Sequence, residues 1–220
     1  MQANIKEIFE SVQGEGIFVG EKQVFVRFAG CNLQCAYCDT DYYIDKSTLV
    51  LKEEELFDKL RKYGAGIISL TGGEPLMSID FLDSFLKKYK KYLNKKIYLE
   101  TNGTLPDELD RIIDEVDIIA MDIKIQSATN QINQFDINEK FLDVAYKKDV
   151  FIKVVFTSSI TEDEINSILN LVSKYNTPLV LQPKTPFRED EPFMEIYNKF
   201  YDKHKTTLLI PQTHKFLNLR

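Results

Sequence analysis

Strand-like and helical segments alternate along this chain of 220 residues, and this alternation limits the possible folds more than any other feature of the sequence. Seven apolar runs are predicted to be strands, at residues 24–28, 67–70, 96–99, 116–121, 151–156, 178–181 and 207–210. Six segments with helical spacing are predicted to be helices, at residues 52–63, 79–93, 106–116, 138–147, 161–175 and 191–204. Strands that are apolar along nearly their whole length indicate a parallel α/β sheet covered by helices.

The number of βα units restricts the architecture further. Six units and a final strand are too few for a closed eightfold barrel, whereas an open doubly wound sheet and a partial barrel both fit them. No linker, repeat or low-complexity stretch divides the sequence, so residues 1–220 are predicted to form a single domain.

Composition excludes several classes of protein. The net charge of -6 argues against a general nucleic-acid binder, which normally carries a basic face. No apolar run approaches the length of about eighteen residues that a membrane span needs, and the N-terminus lacks the hydrophobic region of a signal peptide. The protein is therefore expected to be cytoplasmic, without direct contact to nucleic acid or membrane. In that setting, clustered cysteines indicate metal binding or catalysis rather than disulfide bonds.

Unusual polar residues follow or end most of the predicted strands. They are residues 31–40, residues 71–75, residues 100–103, Asp122 with Lys124, Lys153 and Gln182. In parallel α/β folds, ligands bind at the carboxyl ends of the strands. The sequence therefore predicts that these residues gather at one face and form one site.

All three cysteines of the chain, Cys31, Cys35 and Cys38, lie within eight residues of each other after the first predicted strand. Thiolates are soft ligands that suit zinc, copper(I) and iron–sulfur clusters, and three of them leave one coordination position open. An iron–sulfur cluster with an open position fits this pattern. A zinc site completed by Asp39 or His214 fits it too, as do three thiols without metal.

Two motifs, one βα unit apart, resemble those of the radical S-adenosylmethionine (radical SAM) enzymes. The first is the spacing Cys-x3-Cys-x2-Cys with Tyr37 before its last cysteine, and the second is Gly72-Gly73-Glu74-Pro75. The resemblance implies that Cys31, Cys35 and Cys38 hold a 4Fe-4S cluster whose fourth iron binds S-adenosyl-L-methionine. It also implies an α/β fold that is a partial, incomplete TIM-type barrel of about six parallel βα units with reduced helices.

Further segments resemble the 7-carboxy-7-deazaguanine synthase family, which serves the biosynthesis of queuosine, a modified nucleoside of tRNA, and of other 7-deazapurines. They are residues 10–16, residues 25–31, Cys38-Asp39-Thr40 and residues 210–215. The resemblance implies a lyase that converts 6-carboxy-5,6,7,8-tetrahydropterin to 7-carboxy-7-deazaguanine and ammonia through a 5′-deoxyadenosyl radical, assisted by Mg²⁺. It also implies an N-terminal substrate-binding extension and a short C-terminal strand and tail.

The same resemblance implies roles for individual residues, to which Gln182 is added as a polar residue expected to line the pocket and His214 as one expected to approach the substrate. The expected ligands of the S-adenosylmethionine site are Tyr37, Cys38, Asp39, Gly73, Glu74, Asp122, Lys124 and Gln182. The expected substrate ligands are Val12, Gln13, Gly14, Arg27, Thr71 and His214. Thr40 is the expected Mg²⁺ ligand, through its hydroxyl.

Arg27 has a physical reason for its expected role. It lies in an apolar strand, where an unpaired charge is costly, and its guanidinium offers a bidentate fork for a carboxylate such as that of the substrate. The alternatives are an arginine that reaches water along the strand and one paired to Glu15. The other histidine of the chain, His204, is expected to face solvent at a helix end.

Two other functions compete with this one. A glycyl-radical-enzyme activating enzyme shares the cysteine spacing but acts on a protein glycine. A non-catalytic zinc-binding protein would use the cysteines but leave the Gly-Gly-Glu-Pro turn unexplained. For the first function, the expected partners are the small pterin substrate, an external electron donor of flavodoxin or ferredoxin type, and a second copy of the chain in a homodimer.

Overall fold

The structure is a computed structural model that describes residues 1–187 and 190–219. In this part of the chain, nine strands form one mixed sheet: β1 (Gln2–Val12), β2 (Lys22–Phe28), β3 (Leu49–Lys52), β4 (Ile67–Gly72), β5 (Lys96–Thr101), β6 (Ile118–Ile123), β7 (Asp149–Phe156), β8 (Leu179–Pro183) and β9 (Thr207–Leu209). Their order is β3-β1-β2-β4-β5-β6-β7-β8-β9. All neighbours from β2 to β9 run parallel, which confirms the predicted parallel sheet.

The two strands at the start of this order were not predicted. β1 and β3 pair antiparallel, and β1 also pairs antiparallel with β2. The sequence of β1 hides the strand because charged residues interrupt it and because the pairing of β1 with β2 shifts register between Ile5 and Glu7. Such a bulge breaks the alternation of polar and apolar residues by which a strand is recognised.

Helices follow the parallel strands as the sequence predicts. The described helices are α1 (Glu53–Leu60), α2 (Ile79–Leu93), α3 (Pro106–Ile112), α4 (Gln126–Thr129), α5 (Phe135–Ala145), α6 (Glu162–Tyr175), α7 (Phe193–Tyr201) and α8 (Thr213–Phe216). The six longer ones match the six predicted segments, whereas the one-turn helices α4 and α8 were not predicted. Most of these helices are short, as a barrel with reduced helices requires.

The two faces of the sheet carry different apolar clusters. On the outer face, alternate residues of each strand pack against the helices in one large core. On the inner face, six buried residues form a smaller cluster: Ile67, Tyr98, Ile118, Ala120, Phe151 and Val180. Phe18 and Ile210 pack against this inner cluster, which closes the floor of the curved sheet. The polar residues of the inner face therefore lie above it, toward the carboxyl ends of the strands.

The sheet is open, because β3 and β9 form its two edges, and this agrees with the predicted partial barrel. Within the described ranges, no helix is both long and apolar enough to cross a membrane. The prediction for His204 was wrong: its side chain is buried, and Nε2 lies 2.9 Å from the Thr177 carbonyl oxygen and 2.7 Å from the Thr206 hydroxyl.

Candidate active site

Two adjoining cavities lie at the carboxyl ends of the parallel strands. The first has a volume of about 160 Å³ and is lined by the three cysteines together with residues from the ends of β4 to β8. The second has a volume of about 300 Å³ and is lined mainly by residues of β1, β2 and the C-terminal segment. Residues shared by both linings form a common wall: Glu15, Asp39, Thr40, Thr71, Glu100 and Gln212.

Most of the residues singled out in the sequence lie in these two linings. The first lining contains Cys31, Cys35, Tyr37, Cys38, Asp39, Thr40, Thr71, Gly73, Asp122, Lys124 and Gln182. The second contains Gln13, Arg27, Asp39, Thr40, Thr71 and His214. The structure places three expected ligands elsewhere: Val12, Gly14 and Glu74 line neither cavity. Val12 ends β1 opposite Lys22.

The cysteine loop is held in place by polar contacts with distant parts of the chain. The Ala36 amide donates to the Thr129 carbonyl over 2.9 Å. The Asn32 side chain donates to Thr104 and accepts from Asn102, both over 2.8 Å. Leu33 is buried between these anchors. The loop thus lies across the strand ends in a fixed position, with all three thiols at one cavity.

The donor set fits an iron–sulfur cluster. All three cysteines are free thiols, with Cys31 and Cys35 half-buried and Cys38 exposed. Burial raises the pKa of Cys31 and raises that of Cys35 to about 11, so these two thiols are protonated until a cation displaces the proton. Among the described residues, no three His, Cys, Asp or Glu side chains converge on a point that one metal ion would fill. A cluster of four irons is wider than one ion and takes ligands that stand further apart.

The Gly-Gly-Glu-Pro turn docks on the backbone that leads into the cysteine loop. The Gly73 amide donates to the Phe28 carbonyl over 2.9 Å, and the Glu74 amide donates to the Gly30 carbonyl over 2.9 Å. A Cβ atom on Gly73 would lie 1.8 Å from the Gly30 carbonyl oxygen, and Gly72 has a φ of 107°. Both glycines are therefore required by close backbone packing, and this packing fixes the cysteine loop against β4.

Replacing Gly73 by alanine should separate these two backbones. Because the Gly30 carbonyl has no room to retreat without breaking the hydrogen bond to Glu74, Gly73→Ala should lower the free energy of unfolding by about 1–3 kcal/mol. Gly64→Ala is the matched control, since a Cβ there meets nothing within 4 Å. Urea unfolding of both variants measures the difference. Equal stabilities would contradict the packing role of Gly73.

Glu74 is buried beneath the first cavity and braces the turn. Its carboxylate accepts hydrogen bonds from the Leu76 amide (3.1 Å), the Thr101 hydroxyl (2.9 Å) and the Asn102 amide (2.8 Å). Burial raises the pKa of this carboxyl to about 7, although the three donors act in the opposite direction. Glu74 thus joins the ends of β4 and β5, while its expected contact with S-adenosylmethionine stays a prediction.

The raised pKa of Glu74 makes stability depend on pH. Its folded-state pKa of about 7 exceeds the ordinary value of 4.5, so the folded chain holds this proton more tightly than the unfolded chain does. Rising pH between these values therefore favours unfolding. The free energy of unfolding should fall by about 3 kcal/mol relative to Glu74→Gln across this range. Urea unfolding of both proteins between pH 4.5 and 8 checks it, and parallel pH profiles would contradict it.

A row of buried charges crosses the inner face from the shared wall to the cysteine loop. Glu15 is paired with Lys153, Lys153 Nζ lies 3.0 Å from Asp122, and Asp122 lies 2.9 Å from Lys124 Nζ. Lys124 Nζ is also 3.2 Å from the Tyr37 hydroxyl. The sequence shows these residues only as separate polar positions, and parallel pairing of β6 with β7 puts Asp122 beside Lys153.

Electrostatics keep this row charged. Burial acts to lower the pKa of Lys124 and Lys153, but their acidic neighbours, with Asp122 the largest contributor, together outweigh burial and raise both pKa values well above the ordinary value. Burial likewise acts to raise the pKa of Glu15, yet Lys153 and a hydrogen bond donated by Gln212 hold it at about 2. The two ammonium groups and the Glu15 carboxylate are therefore charged at neutral pH.

Besides the Thr185 hydroxyl, two buried oxygen atoms in the first lining lack a hydrogen-bond partner among the described residues. They are Asp122 Oδ1 and Gln182 Oε1, and both side chains are more than nine-tenths buried. A buried acceptor without a donor costs free energy, so each is suited to a ligand that brings N–H or O–H groups. The ammonium and ribose hydroxyls of S-adenosylmethionine are groups of this kind, and the residues present fit that cofactor.

The second cavity has a flat aromatic wall with a cation above it. Phe9 and Phe25 stack with ring centroids 5.2 Å apart, and the Arg27 guanidinium lies 5.1 Å from the Phe9 centroid. Arg27 Nη1 donates to Glu7 over 2.7 Å. The alternative in which Arg27 pairs with Glu15 was therefore wrong. Glu15 pairs with Lys153, and the partner of Arg27 is a residue of the unpredicted strand β1.

Glu100 organises the wall between the two cavities. It accepts from the Gln13 amide over 2.8 Å and from the Thr71 hydroxyl over 2.7 Å. Glu100 was predicted only to lie at a strand end, without a role, and Glu7 was not among the predicted site residues. A functional role for Glu100 could have been predicted from the sequence, because a carboxylate on the inner face at the end of a buried strand rarely serves the structure alone.

The C-terminal segment closes over the N-terminal turn. The Thr213 amide donates to the Gly14 carbonyl over 2.9 Å, and the Gln212 side chain donates to Glu15 over 2.7 Å. The His214 ring packs so closely on Gly14 that a Cβ there would lie 2.2 Å from Nδ1. Gly14 thus makes room for His214, and His214 lines the second cavity.

Thr40 lies at the border of the two cavities and is half-buried. Mg²⁺ takes few protein ligands and completes its shell with water and substrate oxygens. One hydroxyl at a wall shared by both cavities fits such an ion. Its role as the Mg²⁺ ligand stays a prediction.

The class of protein follows from comparison with known sequences. The profile described as "Radical SAM superfamily" matches residues 25–171, which is more than half of the chain. The chain therefore belongs to the radical SAM superfamily.

Curated relatives narrow the assignment. The 7-carboxy-7-deazaguanine synthase of Geobacter sulfurreducens is 34% identical over 98% of this chain and 97% of its own length. The enzyme of the same name from Archaeoglobus fulgidus is 33% identical over the whole of both chains. Within the superfamily, the chain belongs to the 7-carboxy-7-deazaguanine synthase family. The glycyl-radical activating enzyme and the zinc-binding protein are not favoured by these relatives.

A solved structure supports the fold. QueE from Escherichia coli superposes with a TM-score of 0.70, covering 97% of this chain and 95% of that one, at 20% sequence identity. The open, parallel-dominated sheet of this chain is thus shared with an enzyme of known structure.

Proposed function

We propose that this chain is a radical SAM lyase that converts 6-carboxy-5,6,7,8-tetrahydropterin to 7-carboxy-7-deazaguanine and ammonia. The observation that carries the proposal is the pair of adjoining cavities with a common wall. One is lined by the three thiols and the other by Arg27 above an aromatic surface. Because the two cavities share the lining residues of this wall, a cofactor held in the first would lie beside a substrate held in the second.

The cysteine loop and the charged row define the cofactor side. When bound, the cluster and S-adenosylmethionine supply the 5′-deoxyadenosyl radical that abstracts a hydrogen atom from the substrate. Cys31, Cys35 and Cys38 hold the cluster. Asp122 and Gln182 offer buried acceptors to the polar groups of S-adenosylmethionine. Cys38 is exposed, which supports electron delivery by an external donor of flavodoxin or ferredoxin type.

The second cavity defines the substrate side. Arg27 supplies a guanidinium for the substrate carboxylate, and the Phe9–Phe25 pair offers a flat surface to a pterin ring. Glu100 and Gln13 offer hydrogen-bonding groups for the ring's polar edge. His214 closes the cavity from the C-terminal segment. Thr40, in the wall that both cavities share, would hold Mg²⁺ through its hydroxyl.

The assembly is proposed to be a homodimer of single-domain chains. The short strand β3 forms one edge of the sheet and exposes Leu49 and Val50, with 42% and 56% of their surface accessible. An apolar edge strand favours pairing with another chain.

Anaerobic turnover tests the proposed function. The protein is reconstituted with iron and sulfide and incubated with reductant, S-adenosylmethionine, Mg²⁺ and 6-carboxytetrahydropterin, and 7-carboxy-7-deazaguanine is followed by mass spectrometry. Product that requires every component supports the proposal. A brown protein that cleaves S-adenosylmethionine without forming this product would retain radical chemistry but contradict the substrate.

A further inference from the structure

The bulge in β1 turns Glu7 toward the substrate side. Before the bulge, Ala3 and Ile5 point into the helix-covered core, and Ile5 lies opposite Phe28. In a regular strand Glu7 would share that face, because side chains alternate with a period of two. The register shift between Ile5 and Glu7 instead places Glu7 directly opposite Arg27 on the inner face.

Lys6 is the extra residue of the bulge, and its side chain is held by residues of another segment. Lys6 Nζ lies 2.9 Å from Asp41 and 3.2 Å from Asp45, and it donates to the Tyr43 carbonyl over 3.0 Å. These contacts tie the bulge to the loop that follows the cysteines. The bulge is thus fixed on both sides, and so is the position of Glu7.

Glu7 engages only one edge of the Arg27 guanidinium. Arg27 Nη1 donates to Glu7, while Nε and Nη2 make no hydrogen bond to any described residue. The Phe9 ring lies under the guanidinium and limits its tilt. Both ionic side chains are partly buried, at 23% exposure for Glu7 and 34% for Arg27. Nε and Nη2 of Arg27 are therefore available to a ligand in the second cavity, which Glu7 and Arg27 both line.

We infer that Glu7 is a positioning residue that sets the preference of this site for a carboxylated pterin, an inference that rests on the proposed function. Without Glu7, the Arg27 guanidinium could reorient toward any of three other carboxylates in the same lining: Glu15, Glu100 and Asp39. An arginine held in one orientation loses less side-chain freedom when it binds an anion. Glu7 thus acts through Arg27 and has no contact of its own with the substrate carboxylate.

Ligand preference measures this role. The cluster-loaded protein is titrated anaerobically with pterin-6-carboxylate and with unsubstituted pterin, and the ratio of the two dissociation constants is taken. We expect the wild type to prefer the carboxylated ligand and Glu7→Leu to lose this preference by about tenfold. Glu7→Gln keeps an acceptor oxygen for Arg27 and should retain most of it. In turnover, Glu7→Leu should raise KM and leave kcat nearly unchanged.

Two further variants control for folding. Lys22→Leu breaks the other cross-strand ion pair of β1 and β2, with Glu10, at a site that lines neither cavity, and should bind like the wild type. Glu7→Asp shortens the side chain by one methylene but keeps its charge, so it should lose the preference even if Glu7→Leu does not fold.

The outcomes separate the inference from the proposed function. If the wild type shows no preference for the carboxylated pterin, the proposed function fails and the inference with it. If the wild type prefers it and the Glu7 variants retain the same ratio, the positioning role alone is overturned. Equal loss of affinity for both ligands would also overturn that role, since it would indicate a change in the shape of the cavity. Equal losses of the preference in Glu7→Leu and Glu7→Gln would overturn it too, since they would indicate an effect of charge and not of orientation.

Discussion

Cys35→Ala is expected to yield a folded protein that takes up no stable 4Fe-4S cluster and forms no product. Cys35 is one of only three thiols in the chain, and all three face one cavity. With two thiolates left, a cluster loses one of its three protein ligands. Anaerobic reconstitution followed by iron analysis and visible absorption measures the loss, and mass spectrometry of S-adenosylmethionine cleavage should read zero.

Gln34→Ala is the matched control for this prediction. Gln34 is exposed and adjacent to Cys35, and its backbone carbonyl accepts a hydrogen bond from the Gln131 side chain. This variant should take up iron like the wild type. Cluster content near the wild-type value in Cys35→Ala would mean that Cys35 is not a cluster ligand, and the assignment of the cysteine loop would fail.

Lys153→Met is expected to destabilise the fold by about 3–5 kcal/mol at neutral pH, because it leaves the buried carboxylates Glu15 and Asp122 without their shared cation. The Lys153 side chain is 12% exposed, so solvent screens little of this loss. Urea unfolding measures the change. Lys199→Met removes a lysine that pairs with Glu162 at the surface, and it should stay within about 0.5 kcal/mol of the wild type.

The loss in Lys153→Met should shrink in acid. The folded-state pKa of Glu15 is about 2 in the wild type, below its ordinary value of 4.5. Its contribution to stability is therefore present above about pH 4.5 and disappears as the pH falls toward 2. The difference between the variant and the wild type should narrow over the same range. A difference that stays constant down to pH 3 would show that the lysine contributes packing rather than charge.

The parallel part of the fold was predictable from the sequence because local pattern and tertiary environment agree there. Strands such as β6 and β7 are apolar on both faces, which identifies them as buried, and the helices between them carry their own amphipathic pattern. In β1, the local pattern and the tertiary environment do not agree. Its bulge reverses which face each residue occupies, so its sequence reads as neither strand nor helix.

The candidate site was predictable in its location and only partly in its contacts. Strand ends, the cysteine spacing and the Gly-Gly-Glu-Pro turn all indicated one face of the sheet. The role of Glu74 within that turn was not visible, because its burial under the cavity follows from the docking of β4 against β5. The packing of His214 on Gly14 was not visible either, because it joins residues 200 positions apart in the chain.

The sequence by itself determined the class of fold, the candidate donor set of three cysteines and the face that carries the candidate site, since these follow from periodicity and from residue chemistry. Only the tertiary structure decided which charge pairs with which. Strand register put Glu7 rather than Glu15 against Arg27, and it put Lys153 between Glu15 and Asp122. A side chain's partner depends on the alignment of segments distant in the chain, and no local pattern records that alignment.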